Sequence, residues 1–349
     1  SELFSKLYTY FSVLTGMQYT YSYIETTRLI AQIIKIKPNL VHIHVINCNI
    51  VNLYKLLDFL KNYNYKTVIT FHAEFLYTGG CSHAFECMKW ETGCGKCPRL
   101  WEATHSLFFD RTHHFWKKFK NIYSGFENNL KIVCVSEWLK ERASRSPFFS
   151  NMDLSVIENG IDTQNTFIYN YNSNLFKEFK SNNKKVLLHV TPSFKSKVKG
   201  GEYIIELAKR LDKDLYTIII IGYDASIELP SNVFPLKRIS DQNLLTQYYS
   251  LADLTIITSK VETYSMVCVE SLSCGTPVIG FKCGAPEQIA LKEYSHFVEN
   301  GNIEQLEKSV YEWENKKELV SQKLCTIAKI HYSTKNMVNQ YMELYKNHK

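Results

Sequence analysis

Long apolar runs are missing from this sequence: nowhere do roughly 18 to 20 apolar residues follow one another, the length a helix needs to cross a bilayer. The first 18 residues lack a cleavable secretion signal, because polar and aromatic residues break up their apolar positions. A cytoplasmic protein is the expectation. Proline and glycine are sparse, at 8 and 14 of 349 residues, and 45% hydrophobic against 21% charged content excludes fibrous and disordered classes. The net charge of +7 is modest for this length. No zinc-finger ladder, RNA-binding signature or long basic arm accompanies it, so nucleic acid is not an expected partner. One hydrophobic core rarely serves 349 residues, and two lobes are expected.

The densest basic stretch sets Lys117, Lys118 and Lys120 beside Phe115, Trp116 and Phe119. It fits a helix lying at the inner face of the cell membrane, and equally a solvated helix with aromatic core anchors.

Apolar recurrence at Ile24, Leu29, Ile30, Ile33 and Ile34 predicts a helix over 23–37, stopped by Pro38. The β-branched run 40–46 reads as a buried strand. A helix at 49–62, a strand at 66–71, and strands at 131–136 and 154–158 around a helix at 137–144 complete an α/β lobe with a parallel sheet. In the second half, strands are predicted at 185–190, 215–221, 233–236, 254–259, 277–281 and 295–298, with helices at 201–211, 241–251 and 303–316. The lobes are assigned to 1–160 and 161–330, with a C-terminal helix at 331–349 packing back on the first. The polar stretch 170–183 reads as hinge loop, and a cleft faced by two Rossmann-like lobes is the default ligand site.

Candidate chemistry gathers after the strand at 254–259. Glu262 follows its carboxyl end, where open parallel sheets collect ligands. The segment 265–274 is long enough for about three helical turns, with Gly275 as its cap and Pro277 preventing continuation. Glu270 falls two turns into it, among Val267, Val269 and Leu272; a buried carboxylate there needs donors, and a ribose diol has two. Spacing alone balances this against a solvent-facing Glu270. Between the strand at 185–190 and the helix at 201, Lys195, Lys197, Lys199 and Gly200 combine point charges with exposed backbone donors, which suits a phosphate. A solvated lysine turn has the same composition. His72 closes the strand at 66–71, either as a structural hydrogen-bonding residue or facing the cleft. Arg238 reads as a base or phosphate contact or as a surface arginine.

Together these residues resemble the family 4 retaining glycosyltransferases of GT-B fold. Glu262 and Glu270, with seven residues between them, match the family's paired-glutamate motif, and Cys274-Gly275-Thr276-Pro277-Val278 matches its helix exit. Asn159-Gly160-Ile161-Asp162 and Gly284-Ala285-Pro286-Glu287 are similar to its interlobe and sugar-side motifs. The resemblance implies Glu270 on the nucleotide ribose, Glu262 near the donor sugar, and Lys199 with Gly200 on the pyrophosphate. It further implies Ala285, Pro286 and Glu287 beside the sugar, and His72 facing donor sugar and acceptor. The arginine the family carries five or six residues before the lysine is replaced here by Phe194 and Ser193, so Lys195 or Lys197 is the expected substitute. Family members open with a hydrophobic strand and a glycine-rich loop, whereas this chain starts in helices. The first strand of the N-terminal lobe is therefore expected to be missing or supplied by a protein partner.

Cys81, Cys87, Cys94 and Cys97 form a cluster with His83 between the first two. Four thiolates can hold tetrahedral zinc; free thiols or two disulfides are the alternatives. The segment 70–98 resembles a subgroup from bacterial surface-polysaccharide pathways, which implies an acceptor-side loop and no particular metal. Cys48, Cys134, Cys268, Cys274, Cys283 and Cys325 read as small core residues.

The expected activity is transfer of a hexosyl group from a nucleoside diphosphate sugar to a hydroxyl of a glycan or lipid-linked glycan. The family resemblance implies retention of configuration. No organic cofactor is expected. No catalytic divalent ion is expected at the donor, so any zinc is structural. Two rivals stand: a non-catalytic glycan-binding or assembly subunit of the same fold, and a phosphorylase-like enzyme, which would need a pyridoxal phosphate lysine that the sequence does not display.

Overall fold

The computed structural model describes residues 2–44, 49–180 and 183–348, with the side chains of 2–5 and 318–320 set aside. It divides into two compact units, Ser1–Ile157 with Gln340–Lys349, and Glu158–Asn339.

The first unit opens with α1 (Glu2–Thr15) and α2 (Tyr23–Ile36). It continues as β1 (Val41–His44), α3 (Leu53–Asn62), β2 (Thr67–Phe71), α4 (Leu100–Thr104), α5 (Thr112–Tyr123), β3 (Leu130–Cys134), α6 (Glu137–Ser144) and β4 (Leu154–Val156). Its sheet runs β1-β2-β3-β4, parallel throughout. β2 is buried at every position, as a central parallel strand covered on both faces should be. The β-branched run predicted over 40–46 is strand to His44; 45–46, like Cys48, lie outside the described residues.

α5 carries the basic stretch, with its aromatics placed as core anchors. Phe115, Trp116 and Phe119 are all buried, with Phe115 stacked on Tyr54. No described helix is long and apolar enough to cross a membrane.

The second unit continues with α7 (Ser173–Lys180), β5 (Lys185–Val190), α8 (Gly201–Arg210), β6 (Tyr216–Ile221), β7 (Val233–Leu236), α9 (Gln242–Leu251) and β8 (Leu254–Ile257). Then come α10 (Met266–Ser273), β9 (Val278–Phe281), α11 (Pro286–Ile289), β10 (Ser295–Val298), α12 (Ile303–Trp313) and α13 (Lys316–His331); α14 (Thr334–Asn347) starts in this unit and from Gln340 on belongs to the first. The sheet order is β10-β9-β8-β5-β6-β7, again parallel. Leu187, Ile218, Ile220, Leu254, Ile256 and Ile279 bring its apolar face into one core with Ile204, Leu207 and Leu306 from α8 and α12. From β5 the chain winds one way through β6 and β7 and the other way through β8, β9 and β10. The carboxyl ends of β5 and β8 therefore flank the topological switch point where such sheets bind ligands.

α7 corrects the expectation of a loop over 170–183. The Asn172 carboxamide oxygen accepts the N–H groups of Asn174 and Leu175, starting the helix, and Leu175 and Phe179, one turn apart, bury its inner side. Asparagine-rich polarity concealed a helix with so narrow an apolar stripe.

Candidate functional site

The switch point is assembled by two loops pressed together. After β5, residues 191–200 lead to α8, whose N-cap Gly200 takes φ +65. A Cβ there would collide with the Thr258 carbonyl, so glycine lets the loop lie against the end of β8. Thr258 Oγ1 donates to the Lys199 carbonyl at 3.2 Å, and Lys260 N–H donates to the Val198 carbonyl at 2.8 Å. Asp224, past β6, fixes the other end by accepting from Ser193 Oγ at 2.6 Å and Lys195 N–H at 3.0 Å. Phe194, standing where the family's arginine was expected, is buried against Gly201 and Tyr223.

Lys199 and Glu262 meet here, Nζ to Oε1 at 2.6 Å, both partly exposed. Ser259 Oγ donates to the same carboxylate oxygen at 2.7 Å. The Glu262 backbone is tied to the loop after β9, its N–H donating to the Cys283 carbonyl and its carbonyl accepting from Ala285 N–H. Glu287 folds back to accept the N–H groups of Cys283 and Gly284; Ala285 and Pro286 are buried. Lys199, Gly200, Glu262 and the 285–287 loop therefore converge. Lys195 and Lys197 lie exposed on the same loop, and Arg238 is exposed beyond edge strand β7, away from this convergence.

Glu270 is half-buried on α10 and accepts from Tyr249 Oη at 2.9 Å. Burial raises its carboxyl above the ordinary range against the lowering pull of that hydrogen bond. One donor leaves acceptor capacity on the carboxylate, the condition for gripping a diol.

Two residues escaped the sequence reading. Tyr249 is one. The other is His189, lining a small hollow with Thr191, Lys199, Ser259, Glu262 and Ser265. Its Nδ1 lies 3.1 Å from the Ile256 carbonyl and must be the donor, leaving Nε2 an acceptor with no partner among the described residues. Burial first, and the Lys199 charge after it, lower the imidazole to about 4, so it stays neutral. A lone histidine inside an apolar strand gives no sequence signal for this.

In the first unit, His72 follows β2, its Nε2 3.2 Å from His44 Nδ1. Burial, then His44, lower it to about 4, so the ring is neutral near pH 7.

The cysteine loop is held by an unforeseen ion pair. Glu74, fully buried, bonds Arg142 Nε at 2.6 Å and accepts from Tyr77 Oη at 2.8 Å and Ala84 N–H at 2.6 Å. The Cys81 thiol hydrogen-bonds Cys97, which raises Cys81 and lowers Cys97. Cys94 Sγ accepts Gly79 N–H at 3.2 Å. Among the described residues no three or more His, Cys, Asp or Glu side chains stand in a group that could hold a metal ion. Cys134, Cys268, Cys274 and Cys283 are buried, and Cys325 is partly so.

Comparison with known proteins matches 172–325 to the family described as glycosyl transferases group 1 and 8–165 to glycosyltransferase family 4. The putative colanic acid biosynthesis glycosyl transferase WcaC of Escherichia coli K12 is 23% identical over 278 residues, 77% of this chain and 66% of that protein. N-acetyl-alpha-D-glucosaminyl L-malate synthase of Bacillus anthracis is 23% identical over 161 residues, 44% of this chain and 42% of that enzyme. The chain thus spans less than two thirds of each of these relatives. Among solved structures, Anabaena Alr3699/HepE with UDP superposes with TM-score 0.66 at 17% identity, covering 92% of this chain and 82% of that one. Sucrose-phosphate synthase from Thermosynechococcus elongatus gives TM-score 0.65 at 16% identity, covering 92% and 77%.

Proposed function

We propose, from the premise that the chain belongs to glycosyltransferase family 4 and has the GT-B fold, that it transfers a hexosyl group from a nucleoside diphosphate sugar to a hydroxyl of a glycan or lipid-linked glycan. The observation that carries this reading is the Lys199–Glu262 pair at the switch point of the second unit, with half-buried Glu270 on the helix that follows. Lys199, aided by Lys195 or Lys197, would balance the diphosphate, and Glu270 would take the ribose hydroxyls. Glu262 and the Ala285, Pro286 and Glu287 loop would meet the sugar. Arg238, exposed after β7, would be a base or phosphate contact. His72, neutral at the end of β2, would orient the acceptor.

In the proposed reaction the bond between the anomeric carbon and the diphosphate oxygen breaks, and the diphosphate leaves with the electron pair. The acceptor oxygen attacks from the same face, and its proton passes to the departing phosphate. The protein's part is positioned charge aimed at the leaving group. No side chain serves as a dedicated nucleophile, and retention of configuration follows from same-face attack.

Glu270→Ala is expected to weaken nucleotide binding by about 1.5 to 3 kcal/mol, the scale of hydrogen bonds to a charged group. Calorimetric titration of the folded variant checks it; unchanged affinity rejects the ribose role.

The spacing of the cysteines supports a structural proposal, a zinc ion that would draw together Cys81, Cys87, Cys94 and Cys97, which do not stand as a metal-holding group without it. Elemental analysis of anaerobically purified protein should find about one zinc per chain. Cys94→Ser or Cys97→Ser should remove it. Metal-free protein whose loop resists proteolysis equally well contradicts the proposal.

A further inference from the structure

At the other end of the second unit's sheet lies a cavity of about 510 Å³ that donor chemistry leaves unused, within the range of small-ligand sites. β5 separates the two places. Lys185 at its amino end lines the cavity, and Val190 at its carboxyl end lines the donor hollow. Five steps along a strand put them roughly 17 Å apart.

One wall is aromatic and wet: Tyr169, Tyr171 and Phe176 are 47%, 58% and 41% exposed. The rings of Tyr171 and Phe176 lie 5.8 Å apart, tilted so that both faces are not consumed by stacking. The negative face of such a ring attracts the polarised C–H edge of a saccharide. Lys180, Lys184, Lys185 and Lys317 line the same cavity with one carboxylate, Asp253, and Lys180 and Lys317 lie 6.0 Å from the ring centres of Phe176 and Tyr169. That acid is already engaged, by Lys180 Nζ at 2.6 Å and by Val186 N–H at 2.7 Å.

Lys317 is buried, its ammonium donating to the carbonyls of Ser250 and Ala252 at the end of α9. An ammonium has three donors, so one remains for the cavity. Burial, then the neighbouring Lys180, lower Lys317 to about 7. An anion placed here would relieve an existing electrostatic cost.

We propose that this cavity binds an anionic saccharide, a sugar ring bearing a carboxylate or phosphate, at a subsite separate from the donor hollow. The inference borrows from the proposed function only the expectation that glycans are what the protein meets.

The test is calorimetric titration of the full chain with glucuronate, glucose 1-phosphate, glucose, inorganic phosphate and anionic phospholipid vesicles. Glucuronate and glucose 1-phosphate should bind at least about tenfold more tightly than glucose or inorganic phosphate, a difference of about 1.4 kcal/mol. Tyr171→Ala with Lys184→Gln, an exposed and a half-buried position, should abolish that preference, while Lys199→Ala leaves it intact. Equal binding of glucose, equal binding of inorganic phosphate, vesicle binding alone, no binding at all, or loss in Lys199→Ala instead would each overturn the proposal. Failure of the donor reading would show separately, as absent nucleotide binding with this titration unaffected.

Discussion

Replacing Lys199 by alanine is expected to lower kcat/KM with the nucleotide sugar by about 10²- to 10³-fold, the range for losing one group that stabilises transition-state charge. Its ammonium, 2.6 Å from Glu262, is held at the end of the loop after β5 by Gly200 and the Thr258 contact. The alanine variant loses that charge and leaves Glu262 with Ser259 as its hydroxyl donor. A carboxylate without its cation would then repel the diphosphate. Steady-state kinetics beside binding of nucleoside mono- and diphosphates distinguishes the roles. If Lys199 meets the diphosphate, affinity for the diphosphate falls more than for the monophosphate. Equal small losses would reduce Lys199 to a structural partner of Glu262.

The second large effect concerns stability. Glu74→Ala should destabilise the first unit by about 3 to 5 kcal/mol, because removing one member of a buried ion pair leaves the other charge uncompensated. Arg142 would keep its contact with the Phe85 carbonyl but lose its counter-ion, and Tyr77 and the Ala84 N–H would lose their acceptor. Urea unfolding followed by tryptophan fluorescence suits the measurement, since Trp90 and Trp138 lie against the Arg142 guanidinium. The exposed Glu91–Arg145 pair is the control; Glu91→Gln should change stability by no more than about 1 kcal/mol. A Glu74 variant as stable as that control would show that the cysteine loop is ordered by something else.

The second unit's strands were legible because most are short apolar runs, β-branched in β6 and β8, set between turns and helices, the signal that period and propensity carry. The convergence of Lys199, Gly200, Glu262 and the 285–287 loop was legible too, since each follows a parallel strand's carboxyl end and the sheet order brings those ends together. Contacts made by residues far apart in the chain were not. Tyr249 reaches Glu270 from the preceding helix, His189 is defined by the Ile256 carbonyl across β8, and Glu74 finds Arg142 on α6. Composition also misled where polarity and burial parted company. Asn172 begins a helix inside an apparent loop.

Turnover of uridine, guanosine and adenosine diphosphate sugars against a panel of glycan acceptors, with the new linkage read by NMR, tests the transfer chemistry most directly. The expected result is release of a nucleoside diphosphate from one class of donor, a glycosidic bond of the donor's own anomeric configuration, and loss of both in Glu270→Ala. Nucleotide binding without turnover, or a bond of inverted configuration, would contradict it.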